Sequence, residues 1–143
     1  VTGRTLMSTR YLLDTNICIY IAKRNPPEVR ERFQRLAASD LVMSVITLGE
    51  LCFGAERSQR REQALSGIET LRRLISVAPL PPSASEHYGQ IRAQLQQAGR
   101  IIGNNDLWIA AHARAEGWTL VTNNEREFVR VADLQVENWV QAI

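Results

Sequence analysis

Asp14 ends a short apolar run, Tyr11-Leu12-Leu13, and is followed at once by Thr15-Asn16. Glu50 follows a second apolar run, Leu41 to Ile46, through Thr47-Leu48-Gly49. Asp106 stands at the head of a third apolar stretch, Leu107 to Ala113, and Thr119-Leu120-Val121-Thr122 leads into Asn123-Asn124 and Glu127. If these segments meet, their carboxylates repel: two charges about 5 Å apart cost on the order of 3 kcal/mol at an effective dielectric of about 20. A hard divalent cation relieves that repulsion, and an all-oxygen donor set with no histidine or cysteine suits Mg²⁺, with Mn²⁺ as a substitute. Such an ion lowers the pKa of a bound water and stabilises charge on a phosphoryl group. The chemistry implied is metal-assisted hydrolysis of a phosphodiester.

Each acidic residue also has a purely structural account. Asp14 can cap a helix that begins at Thr15. Glu50 stands three residues after Thr47, as in a capping box. Asp106 suits the first turn of a helix, where the dipole favours negative charge, and Asn124 suits a turn. Their joint placement separates the two readings. Asp14, Glu50 and the Asn123–Glu127 turn each follow a strand, and the carboxyl ends of parallel strands share one edge, where ligands collect in open α/β sheets.

The elements that would carry these residues follow from patterning. Tyr11–Leu13, Leu41–Ile46, Ser76–Leu80 and Thr119–Thr122 read as buried parallel strands, with Leu134–Val136 as a candidate edge strand. Helices are expected from Ile17 to Lys23, from Pro26-Pro27 to Ser39-Asp40, and from Thr47 to about Gly54. A further helix carries Leu65, Ile68, Leu71 and Ile75. Another begins at the capping-box sequence Ser83-Ala84-Ser85-Glu86 and ends at Gly99, and a last one spans Asp106 to Gly117. Strands alternating with helices predict βαβ units and a single α/β/α domain over residues 9–143, with a central, mainly parallel sheet of four or five strands. Residues 1–8 read as an N-terminal extension or a remnant of expression cloning, with Met7 a candidate start.

The 143 residues suffice for one domain with a full core. No stretch approaches the roughly 20 apolar residues of a membrane span. Val1 to Ser8 lack the apolar core of a signal peptide, so a cytoplasmic protein is expected, without a membrane partner. Cys18 and Cys52 lack metal-ligand spacing and read as buried, reduced thiols. The net charge of +2 is too mild to establish a nucleic-acid partner. Every basic residue except Lys23 is arginine, which codon bias explains as readily as phosphate recognition.

The segments Leu12-Leu13-Asp14-Thr15-Asn16, Val45 to Gly54, Asn105 to Ala113, and Leu120 to Asn124 with Glu127-Phe128 resemble, in order, the motifs of PIN-domain ribonucleases. More narrowly they resemble the VapC toxins of bacterial type II toxin–antitoxin modules, from Tyr11 to about Trp139. That resemblance implies a Mg²⁺-dependent endoribonuclease acting on structured RNA, a homodimer, and a VapB-like antitoxin whose tail covers the active site. By position it makes Asp14 and Asp106 metal ligands. Glu50 completes the cluster by binding metal directly, through water, or by helping to activate the attacking water, and Thr15 positions the site. Many PIN domains carry a further aspartate where this chain has Asn124, so Asn124 and Glu127 are supporting candidates and a second metal is in question. Arg100, just before the acidic helix, is the arginine placed to touch RNA phosphate.

Other acidic-site chemistries fit less well. A phosphoacceptor receiver domain needs paired acids after its first strand and a late lysine, and the single lysine here is Lys23. A haloacid-dehalogenase-type phosphatase needs Asp-x-Asp, and the third position is Asn16. A PIN-fold module that binds RNA or protein without catalysis is the alternative, but a pure binder has no need of repelling carboxylates. His87, His112, Trp108 and Trp118 read as packing or solvated residues.

Overall fold

The computed structural model describes residues 10–140, so the expected N-terminal extension lies outside the described residues. Five strands form one sheet in the order β3-β2-β1-β4-β5: β1 (Tyr11–Leu13), β2 (Leu41–Ser44), β3 (Ser76–Ala78), β4 (Thr119–Val121) and β5 (Val136–Glu137). Every pairing is parallel, with Leu12 opposite both Val42 and Leu120. β1 is therefore the central strand, and its carboxyl end is the middle of the sheet's edge.

Alternate residues of a strand face opposite sides of a sheet, and the two cores divide accordingly. Leu12, Val42 and Leu120 pack on one side with Ala84, Ile91 and Leu95 of α5 (Ala84–Gln97) and with Leu107, Ala110 and Ala111 of α6 (Asn104–Glu116). Leu13, Met43 and Val121 pack on the other side, covered by α1 (Thr15–Lys23), α2 (Pro27–Gln34), α3 (Val45–Arg57) and α4 (Arg61–Leu74). A single turn, α7 (Glu125–Phe128), precedes β5. The α/β/α sandwich is as the sequence predicts.

Local expectations are corrected at the end of β2, at two capping boxes and at Cys52. β2 stops at Ser44, not Ile46, because the Ser44 hydroxyl accepts from the Ile46 N–H at 3.1 Å and caps α3. Val45 and Ile46 are apolar in either state, so periodicity alone does not separate strand from helix there. Thr47 consequently lies inside α3, and Glu50 is not the far half of a capping box. At α5 the Ser83-x-x-Glu86 capping box is also absent: Ser83 is already helical in backbone, and the Ala84 and Ser85 N–H groups donate to the Pro81 and Pro82 carbonyls. Finally, Cys18 is buried as expected but Cys52 is exposed, on the outer face of α3. Among the described residues, no helix is long and apolar enough to cross a membrane.

Gly99 and Gly117 have φ of 67° and 72° and close the helices before and after the acidic segment. Only glycine adopts that left-handed backbone without strain. Gly99 ends α5 ahead of the connection to Asp106, and Gly117 ends α6, the helix that carries it.

Candidate active site

The β1–β4 ladder continues one residue past β1, with the Asp14 N–H donating to the Val121 carbonyl at 2.9 Å. Asp14 is thus part of the sheet edge and also the cap of α1. Its Oδ1 accepts from the Thr15 N–H at 2.7 Å, and its Oδ2 accepts from the Thr122 hydroxyl at 2.8 Å. The side chain is held at both oxygens in a buried position. Burial raises its pKa above the ordinary aspartate value, with smaller contributions from Glu50 and Glu127, against the lowering effect of the Thr122 and Thr15 hydrogen bonds. Asp14 is a helix cap, and the same carboxylate lines the cavity described below.

Asp106 stands in the first turn of α6. Its carboxyl is pushed up to about 7, by burial first and then by Asp14, Glu127 and Glu50. Glu50, in the second turn of α3, accepts from the Thr15 hydroxyl on one oxygen and from the Asn105 side-chain amide at 3.2 Å on the other. Asp14, Thr15, Asn16, Glu50, Asp106 and Asn124 together line one cavity of about 180 Å³. Asp14, Glu50, Asp106 and Asn124 converge there, Glu50 from the helix that follows β2, as expected.

Asn124 donates its side-chain amide to Glu127 at 2.8 Å, and its backbone N–H donates to the Thr122 hydroxyl at 2.9 Å. The fourth corner is therefore a neutral amide backed by a carboxylate. Glu127 reaches the cluster through its charge on Asp14 and Asp106. Arg100 is exposed at the connection between α5 and α6 and is not among the residues lining the cavity. His112 is fully buried and hydrogen-bonded to Ser44, and Trp108 stacks on Tyr88 with ring centroids 3.9 Å apart, as packing residues do.

Two residues of the site escape sequence reasoning. Thr122 orients Asp14 from 108 positions away, and Asn105 orients Glu50 from 55 away. The signal available was their adjacency to Asn123-Asn124 and to Asp106, which local patterning reads as turn and helix cap.

The chemistry of this donor set fits a hard divalent ion: every side-chain donor lining the cavity is oxygen or amide, and neighbouring carboxylates help to raise the pKa of Asp14 and of Asp106. Among the described residues, no three His, Cys, Asp or Glu side chains already stand together as a ready-made metal cage. A metal bound here would draw on two carboxylates and leave coordination positions for water and phosphate, as Mg²⁺ sites generally do.

A PIN-domain family model matches residues 11–134. The chain belongs to the PIN-domain family. It is 46% identical over 131 residues to ribonuclease VapC2 of Haemophilus influenzae, covering 92% of this chain and 98% of that one. It is 47% identical over 130 residues to the tRNA(fMet)-specific endonuclease VapC of Shigella flexneri, covering 91% and 98%. VapBC2 of Rickettsia felis, solved bound to a DNA fragment from its promoter, superposes with a TM-score of 0.86 at 39% identity, over 92% of this chain and all of that one. Within the PIN family the chain is a member of the VapC ribonucleases of VapBC toxin–antitoxin systems, and so a nuclease that acts on RNA.

Proposed function

We propose that this PIN-domain nuclease is a Mg²⁺-dependent endoribonuclease toxin that hydrolyses phosphodiester bonds in structured RNA, with Mn²⁺ able to substitute. The observation that carries this reading is the convergence of Asp14, Glu50 and Asp106 on one cavity, with the Asp106 carboxyl pushed to about 7 by burial and by its acidic neighbours. Asp14 and Asp106 would hold the ion. When bound it supplies a more acidic water and neutralises charge at phosphorus. Glu50, fixed by Thr15 and Asn105, faces the same cavity and orients the attacking water. The oxygen of that water bonds to phosphorus as the bond to the leaving ribose oxygen breaks, the water releasing a proton to solvent and the leaving oxygen taking one from it. Asn124 and Glu127 support the far corner, where a neutral amide favours one ion over two.

Initiator tRNA is the first substrate to try, because a relative of 47% identity is named for it; other tRNAs and ribosomal RNA loops follow. A cytoplasmic homodimer and a VapB-like antitoxin complete the proposal. An apolar groove of about 680 Å³ supports the antitoxin: Ile19, Leu51, Ala55 and Ile68 line it, and it opens onto Thr15 and Glu50 at the acidic site. A segment lying in that groove would reach the carboxylates, and a cation at its end would meet them.

The deciding experiment measures cleavage of initiator tRNA with Mg²⁺, with Mn²⁺ and with chelator, for the parent chain, Asp14→Ala and Asp106→Asn. Metal-dependent cleavage that falls at least about a hundredfold in both variants is expected. Undiminished cleavage by both variants would remove the proposed site.

A further inference from the structure

Two hydrogen bonds join α6 to α3 and to its cap residue Ser44, and they lie on one face of α6. Asn105 and His112 are seven residues apart, two helical turns, so their side chains emerge on the same side. Between them Ile109 is fully buried. At the outer end the Asn105 amide donates to Glu50 at 3.2 Å, in an exposed position. At the inner end the His112 Nδ1 and the Ser44 hydroxyl are hydrogen-bonded at 3.0 Å, with both residues fully buried. Ser44 simultaneously caps α3 by accepting from Ile46. The buried bond therefore ties α6 to the N-terminus of the helix that carries Glu50, and the exposed bond ties α6 to Glu50 itself.

The geometry points to Asn105 as a positioning residue for the acidic site, with the Ser44–His112 bond as its buried counterpart. This rests on the nuclease reading above and deepens it. Asp106 is the next residue after Asn105 on α6, so whatever fixes Asn105 against Glu50 also fixes Asp106 relative to Glu50. Glu50 is clamped from two directions: Thr15, adjacent to Asp14, donates to one oxygen, and Asn105, adjacent to Asp106, donates to the other. Each neighbour of a metal-binding aspartate thus holds the same third carboxylate. The clamp converts three acids carried on separate elements, which would otherwise spread apart, into one unit. The Ser44–His112 bond removes the remaining freedom, because a slide of α6 along α3 would break a hydrogen bond in the dry interior, where an unpaired polar atom is costly.

Asn105 does not touch the reacting atoms, so its substitution acts through Glu50. Steady-state cleavage of initiator tRNA by Asn105→Ala should show kcat about tenfold lower, with KM within twofold of the parent. In a Glu50→Ala background the same substitution should change the residual rate by less than twofold, since its target is gone. His112→Leu should lower kcat similarly. His112→Asn returns a hydrogen-bonding atom near the Nδ1 position and should recover most of the loss. An Asn105→Ala rate equal to the parent, or equal losses with and without Glu50, overturns the proposal; failure of His112→Asn to recover activity overturns its buried half. If the parent chain cleaves no RNA with any metal, the nuclease reading fails by itself. The clamp is then decided by thermal unfolding of Asn105→Ala, Glu50→Ala and the double variant. Midpoint shifts of about 2–4 °C for Asn105→Ala that vanish without Glu50 support it, and additive shifts overturn it.

Discussion

Asp106 carries an unusual proton for a carboxylate, and its titration has a definite direction. With its folded pKa raised to about 7 from an ordinary 3.8, the metal-free folded chain binds this proton more tightly than the unfolded chain does. The group costs nothing below about pH 4. Stability then falls as pH rises between the two values, because the unfolded state releases the proton first. Thermal unfolding in chelator should therefore show a lower midpoint at pH 8 than at pH 5, and Asp106→Asn should flatten that slope. After allowance for solvent screening, the variant should be more stable at pH 8 by about 1–2 kcal/mol while losing activity. Added Mg²⁺ should restore the parent's midpoint at pH 8 and leave the variant's nearly unmoved. Thr122 gives a second residue-scale prediction. Its hydroxyl is fully buried, donates to Asp14 and accepts from the Asn124 N–H. Thr122→Val keeps the shape but leaves both partners unsatisfied, so urea unfolding should report a loss of about 1–3 kcal/mol. The acids themselves are legible in the sequence, since a carboxylate ending an apolar run is a local pattern. Thr122 and Asn105 are not, because their roles exist only across a sheet and a helix pair.

At the scale of elements, capping sequences are informative only with their backbone. Ser44 stands unannounced inside an apolar run, yet its hydroxyl starts α3 and binds His112. Ser83 stands in a well-formed capping-box sequence, yet its hydroxyl makes no cap bond, because two proline carbonyls already receive the first N–H groups of α5. Ser44→Ala should cost about 1–2 kcal/mol and Ser83→Ala less than about 0.5 kcal/mol in parallel urea titrations. Equal costs would contradict the assigned caps. The strands, by contrast, are short and apolar on both faces, so their existence and parallel sense can be read from composition and from the intervening helices. Their ends cannot, and the β2 boundary shifted for that reason.

For the whole molecule, the two sides of the sheet do different work. The α5–α6 side presents Asp106 and the Tyr88–Trp108 stack, and the α1–α4 side carries the apolar groove that opens at Glu50. Placing a long cation in that groove should separate inhibition from catalysis. Ala64→Arg, at a half-buried groove position away from the acidic cavity, should leave RNA cleavage within twofold of the parent and weaken inhibition by the cognate antitoxin at least tenfold. Titration of cleavage with purified antitoxin checks both. A variant still fully inhibited would move the antitoxin elsewhere.

The central position of β1 has a consequence in time as well as in space. Residues 11–13 are made early, but they pair with residues 119–121, and the Asp14 carboxylate takes one of its two hydrogen bonds from Thr122. A chain emerging from the ribosome can build α1 through α5 without possessing an active centre. Asp106 arrives only after all of these, Thr122, Asn124 and Glu127 come later still, and long-range pairing of this kind closes late. The active centre is therefore completed only once α6 and β4 have both been made, however early its first carboxylate emerges.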